Sequence, residues 1–250
     1  MTGFGPFFVK ELREILATWR LYVLPVMLLL CAVASPILAL ATPYLIGTVA
    51  NLPLKLPDPT VADAYAQWTK NLGQMALLVV IVSFSGAVNA ERTSGTAAIA
   101  LSKGLTPASF IVAKIAAAYA LVVVPTGLAT VVMAITTRVA FGEAPLGPLI
   151  RATAAWLVLA LWCVTVVILL STVLDSTSAT AGLAIAVWLV LAALSAWGPA
   201  ARWSPAGLVG APSSLAMGAE TVWLWPVVTA ALTAAMLVAG SVLVLRRREL

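Results

Sequence analysis

Charged side chains make up only 9% of this 250-residue chain, so the places where they gather are informative. Glu91 and Arg92 stand together at the end of an apolar run and are followed by Thr96, Ala100, Leu101 and Lys103. Lys10, Glu11, Arg13 and Glu14 form a second group near the N-terminus, and Asp175 separates two long apolar stretches. Acids beside bases at such borders do ion-pairing and docking chemistry. They fasten elements to one another or present a charged face to a partner. Catalysis is not expected from this chain. It has no His and two Cys, so it lacks the donors of a His-carboxylate or zinc site. Ser83, Ser85 and Ser171 have no base within their own apolar runs to activate them. Cys31 and Cys163 lie inside such runs and read as small packing residues, and the scattered Met27, Met75, Met133, Met217 and Met236 make no ladder for cuprous ion. No Gly-x-x-x-x-Gly-Lys-Ser/Thr loop is present to cradle ATP. A cation-coupled transporter would keep a carboxylate or His inside the bilayer, and here every acid falls at a run end or in a connection.

The elements that must position these residues are six runs without any charged side chain: 21–54, 71–90, 115–137, 152–174, 176–201 and 221–245. Each is long enough to cross a hydrocarbon core of about 30 Å as a helix, the conformation that satisfies its own backbone groups in lipid. The expected architecture is an all-α membrane protein of one domain over 1–250, with spans at about 21–46, 71–90, 108–136, 150–174, 177–197 and 222–245. The run 203–219, broken by Pro205, Gly207, Gly210, Pro212 and Gly218, reads as folded connection. Little is left for a soluble domain, so soluble machinery is expected on another chain.

Basic residues orient the frame. Alternate connections carry Lys10, Arg13 and Arg20, then Arg92, Lys103 and Lys114, then Arg246, Arg247 and Arg248. The opposite side carries only Lys55, Lys70, Arg138, Arg151 and Arg202. The richer side is expected to be cytoplasmic, with both termini on it. These charges sit at span ends, where lipid headgroups read them, so no nucleic-acid partner is expected.

Residues 4–20 form an amphipathic pattern, with Phe4, Phe8, Val9, Leu12, Ile15, Leu16 and Trp19 on one arc and Lys10, Arg13, Glu14, Ala17 and Arg20 opposite; Phe7 is the exception. Such a helix lies at headgroup level, as a lipid anchor or as an elbow whose polar face meets a partner. Between the second and third spans, Gly95 and Gly104 bracket a short helix, and Thr106-Pro107 is a cap and first-turn pair that restarts the chain. A hairpin needs less than this.

The order of these features resembles the membrane subunits of type-2 ABC transporters. The carriers are Glu-Arg-x-x-Gly-Thr at 91–96, an apolar helix, Lys103, the Pro107 restart leading to Ala113-Lys114, the N-terminal Lys10-Glu11-Leu12, the turn from Asp175 to Gly182, and the closing Arg246-Arg247-Arg248-Glu249. Within that family it is most similar to the permeases of multicopper-enzyme maturation, typified by the one serving nitrous oxide reductase. The resemblance implies a non-catalytic half-transporter in the bacterial inner membrane, exporting a hydrophobic or amphipathic substrate. It implies pairing with a second copy or a paralogous permease and with two ATPase subunits, which hold the ATP and Mg. The short helix 96–105 would be the coupling helix, served by Glu91, Arg92, Thr96, Ala100, Leu101 and Lys103, with Asp175 a smaller contact; residues 4–20 would be the elbow, and 198–222 short re-entrant outer helices. Trp197, Trp203, Trp223 and Trp225 flank that stretch as an interfacial belt would.

An ATP-independent channel and an intramembrane lipid-modifying enzyme are the alternative readings. Ser85 with Asn89, Gly182 with Ala186 and Thr229 with Thr233 recur at helical spacing and read as helix packing or as substrate lining. Pro25, Pro36, Pro43 and Pro125 are expected to kink or end their helices.

Overall fold

The structure, a computed structural model, describes residues 3–50, 58–102, 104–219, 221 and 223–247, with backbone alone for 20 and 45–50. Among these residues there are helices and no strand. They are α1 (Phe4–Leu16), α2 (Arg20–Ala50), α3 (Val61–Asn71), α4 (Leu77–Phe84), α5 (Asn89–Thr93), α6 (Thr96–Ser102), α7 (Pro107–Phe141), α8 (Leu146–Val173), α9 (Thr177–Leu194), α10 (Gly198–Trp203), α11 (Gly207–Ala216) and α12 (Leu224–Arg247). Six segments are long and apolar enough to cross a bilayer: Leu21–Tyr44, Val61–Thr93, Pro107–Phe141, Leu146–Val173, Thr177–Leu194 and Leu224–Arg247. The chain is a multi-pass, all-α membrane protein. Lys55, Lys103, Arg248 and Glu249 lie outside the described residues.

α8 is the centre of the bundle, in contact with α3, α4, α7, α9, α11 and α12. It suits that place because it buries side chains around its whole circumference: Ala155, Val164, Thr165 and Val167 lie on different faces and are all buried. α9 and α12 lie at the edge and bury far fewer residues, Thr180, Ala184 and Leu191 on the one and Pro226, Ala230, Ser241 and Leu245 on the other.

The other spans differ from their charge-free runs by a few residues: α7, α8 and the end of α12 continue past the first charge, whereas α2, α9 and the start of α12 fall short of their runs. α2 reaches Ala50, α7 covers 107–141, α8 begins at Leu146, α9 stops at Leu194 and α12 runs from Leu224 to Arg247. The second span is a larger correction. It begins at Val61, ten residues before the expected 71, because Asp63 and Lys70 do not end the helix. Thr60 and Asp63 form a capping box: the Thr60 backbone N–H donates to Asp63 Oδ2 at 2.8 Å. α3 then buries Ala64, Tyr65, Trp68 and Thr69 on one face and turns Asp63 and Lys70 outward. Trp68 Nε1 donates to Thr153 Oγ1 at 3.2 Å, and Tyr65 Oη to the carbonyl of Pro145 at 3.2 Å. A single π turn, 72–76, shifts the register between α3 and α4.

The prolines do not end their helices: α2 contains Pro25, Pro36 and Pro43, and α7 contains Pro125. Pro36 has no N–H for the carbonyl of Ala32, and Thr136 Oγ1 of α7 reaches that oxygen at 3.0 Å. Thr136→Val is therefore expected to cost about 1 kcal/mol, seen as a lower unfolding midpoint in detergent, with Thr136→Ser close to the parent.

Residues 198–216 fold as two short helices. α11 packs against α8 and α3, burying Leu208, Ala211, Pro212 and Leu215, while Trp203 and Trp225 meet at 5.3 Å beside it. Gly207 makes this closure possible, since a Cβ there would overlap the Ala201 carbonyl and the Pro226 ring. Gly207→Ala is expected to lower stability by about 1–3 kcal/mol in a thermal melt. Gly210→Ala, whose added carbon meets nothing within 4 Å, is its near-neutral control.

Candidate functional site

Most of the charged residues singled out above converge on the end of the bundle where α1 lies and α12 ends. α1 packs there against α7 with its inward face formed by Phe4, Phe7, Phe8, Glu11, Leu12 and Ile15. The face is rotated from the one expected. Phe7 is no exception but a packing residue, with its ring 5.2 Å from that of Phe110, whereas Val9, Leu16 and Trp19 are exposed. The helix ends at Leu16 rather than 20, and Ala17 closes it by donating its N–H to the carbonyl of Arg13. Arg13 is exposed.

Glu11 faces inward because a partner awaits it. Lys114, 5% exposed and two turns into α7, donates to Glu11 Oε1 and Oε2 at 3.1 and 3.0 Å and lies 3.2 Å from Glu91 Oε2. Lys10 closes the ring from the outside, at 2.5 Å from Glu91 Oε1, 3.0 Å from Glu11 Oε1 and 2.7 Å from Glu14 Oε2. Two ammonium groups thus alternate with three carboxylates. The rings of Phe7 and Phe110 add cation–π faces to Lys114 at 5.8 and 5.0 Å. The oxygens of Glu11, Glu14 and Glu91 lie close enough together for a cation, but lysine ammonium groups already occupy the space between them, so the cluster is an ion-pair network. Burial works against the charge on Lys10. Its bonds to Glu14 and Glu91, with the pull of Glu11, outweigh that and hold its pKa above the usual lysine value. A raised lysine pKa means the contribution is whole below about pH 10 and is lost only as pH rises through the folded value.

Arg92, the next residue, turns the other way. Its Nη1 donates to the carbonyl of Thr172 at 2.9 Å and its Nη2 meets Asp175 Oδ1 at 2.6 Å, on the turn between α8 and α9. Its Nε is buried without a partner. The helix break at 85–88 that aims both side chains is held by Ser171 of α8, whose Oγ accepts from the N–H groups of Val88 and Asn89 at 3.0 and 3.1 Å. Asn89 then crosses to α9, donating to Thr180 Oγ1 and accepting from Thr177 Oγ1, both at 3.1 Å. Ser85 bonds back to the Val82 carbonyl instead of pairing with Asn89.

α6 projects from this base. Gly95 and Gly104, with φ of 75° and 88°, flank it, and Ser109 N–H donates to Thr106 Oγ1 at 3.1 Å where α7 restarts. Its residues do not share one role. Ala97 is buried, Ala100 and Leu101 are half-buried against the core, and Thr96 and Ile99 are exposed, Ile99 at 56%. Thr96 Oγ1 donates to the Glu91 carbonyl at 3.1 Å. Between α1 and α6 lies a cleft of about 690 Å³, walled by Pro6, Phe7 and Ile99 and rimmed by Lys10, Glu14 and Glu91. Ion pairing and an exposed apolar knob suit this end for transmitting force to a docked protein.

The sequence model of the family described as ABC-2 family transporter protein matches residues 7–201, from α1 into α10. The chain belongs to the ABC-2 transporter family. No curated protein matches it. The permease is thus the membrane subunit of an ABC transporter and works with an ABC ATPase. The matched region of the ABC-2 permease contains every residue of the network, the break at 85–88, and α6. The match is to the family as a whole and does not support the expected place among maturation permeases. Lys114, Phe7 and Ser171 were not among the expected site residues. Lys114 carried one usable signal, a lysine well inside an apolar helix facing the inner charges of α1.

Proposed function

We propose that this permease exports a hydrophobic or amphipathic compound across the bacterial inner membrane, as a pair of copies or of paralogous chains driven by two ATPase subunits. α6 is its coupling helix and α1 its elbow, both cytoplasmic together with the chain termini; ATP and Mg are held by the ATPase. Mostly aliphatic spans with few charges favour a cargo of low polarity. The observation that carries the reading is the pair Glu91-Arg92 at the base of α6. Glu91 is fastened to α1 and α7, and Arg92 to the α8–α9 turn, so a push on α6 is delivered to several spans at once. Side chains that only ended a hairpin would not need four anchors.

A cysteine placed at exposed Ser94 tests it. The native Cys31 and Cys163 are buried and give little background. A membrane-impermeant maleimide is expected to label Ser94→Cys in inside-out vesicles and to leave it unmodified in intact cells. Labelling from outside would put α6 beyond reach of any ATPase and end this reading.

A further inference from the structure

The other end of α7 carries an arginine that the coupling site does not use. Arg138 is exposed, lies about one turn from the end of α7, and makes no ion pair among the described residues. It falls three and four positions after Ile135 and Ala134, on the same face of the helix. That face opens into an apolar groove of about 490 Å³ between α7 and α8. Gly127, Ala134 and Ala154 make its hollow, and Val131, Ile135 and Ile150, all strongly exposed, form its walls. Along α7 from Gly127 to Ile135 the groove runs about 12 Å. It is nearly devoid of polar atoms, with Thr130 and Thr153 the polar side chains among its lining residues. Thr130 Oγ1 donates to the carbonyl of Thr126 and Thr153 Oγ1 accepts from Trp68, so both hydroxyls already have a partner within the protein.

We propose that this groove binds one acyl chain of an anionic glycerophospholipid, with the lipid phosphate on Arg138. The two ends of the site call for the two ends of such a molecule. An apolar channel inside the hydrocarbon layer takes a flexible chain. A guanidinium at headgroup depth pairs with a phosphate through two parallel N–H···O bonds. An uncompensated arginine favours a headgroup that brings no cation of its own. Arg151, the nearest basic residue on α8, is rotated away from the groove by helical periodicity and donates its Nε to the Gly147 carbonyl. Arg138 is therefore the recognition residue. The site lies at the end of the bundle remote from α1 and α6, so its test is independent of the coupling reading.

The experiment uses the full chain in nanodiscs containing phosphatidylglycerol that carries a photoactivatable diazirine in one acyl chain, with labelled peptides mapped by mass spectrometry. Labelling is expected to concentrate on 127–135 and 149–157 over the equally exposed faces of α12. Arg138→Gln is expected to reduce labelling of the groove about five-fold. Ala134→Trp, which fills the hollow, is expected to abolish it while leaving α12 labelled as before, which also reports that the variant is folded. Even labelling of all lipid-facing helices would overturn the proposal, as would undiminished groove labelling in Arg138→Gln or equal labelling by the phosphatidylcholine analogue. Efficient disulfide formation between copies bearing Val131→Cys and Ile150→Cys would show a second copy of the chain covering the groove, and would overturn it too.

Discussion

Lys114→Met is expected to destabilise the protein by about 3–5 kcal/mol, the cost of removing one partner from a buried ion pair. Methionine is close to lysine in volume, so packing against Phe7 and Phe110 survives and the loss is electrostatic. Glu11 is left buried with only Lys10 beside it, and Glu91 loses its inner neighbour. The check is an unfolding midpoint in detergent, read together with the yield of folded protein. Coupling makes the prediction specific. In Lys114→Met with Glu11→Leu, the buried carboxylate goes with its partner, Lys10 still holds Glu91, and most of the stability returns. A double variant no more stable than the single would show that the two side chains do not act as a pair.

Ile99→Asp is expected to weaken association with the ATPase about 30-fold or more while leaving the permease folded. Truncating or charging a central apolar anchor at a protein interface costs about 2 kcal/mol or more, and 1.4 kcal/mol is tenfold in affinity. Ile99 is the exposed apolar side chain of α6, and its neighbours differ in the direction that separates docking from folding. Ala97→Asp puts a charge in the core and is expected to lower expression and stability; Ile99→Asp leaves both unchanged. Titration of purified ATPase against permease in nanodiscs measures the first effect, and the melting temperature of the permease alone measures the second. Unchanged ATPase binding in Ile99→Asp combined with Thr96→Arg would remove α6 from the docking surface.

The two variants probe different layers of legibility. That α6 exists and starts at Thr96, and that α7 restarts after it, were readable from Gly95, Gly104 and Thr106-Pro107, because backbone conformations available to glycine and proline are local properties; its end at Ser102 falls short of the expected 105. Which side chains of α6 face outward was not readable. The expected contacts Ala100 and Leu101 pack inward, and Ile99 points out, since a seven-residue helix carries too few apolar positions for a face to be assigned from periodicity. The same limit misplaced the inner face of α1. A helix at the border of lipid and protein has apolar residues on two sides, and a hydropathy pattern cannot tell Phe7, packed against Phe110, from the exposed Trp19.

The second span shows the opposite failure. A charge-free run puts its boundary at the first charge, but Asp63 serves as a cap partner of Thr60 and Lys70 faces away from the core, so the helix passes both. Exposed charge near a span end costs little once the side chain reaches water.

Sequence alone was enough for the membrane class and for the number of spans. These follow from composition along the chain, because lipid demands long apolar helices. Only the packed structure decided that Lys114 sits between Glu11 and Glu91, that Ser171 secures the break at 85–88, and that Thr136 serves the carbonyl freed by Pro36. The partners in these contacts are separated by 23 to 104 positions in the chain. A buried charge or an orphaned carbonyl states that a partner must exist, and tertiary packing chooses which one.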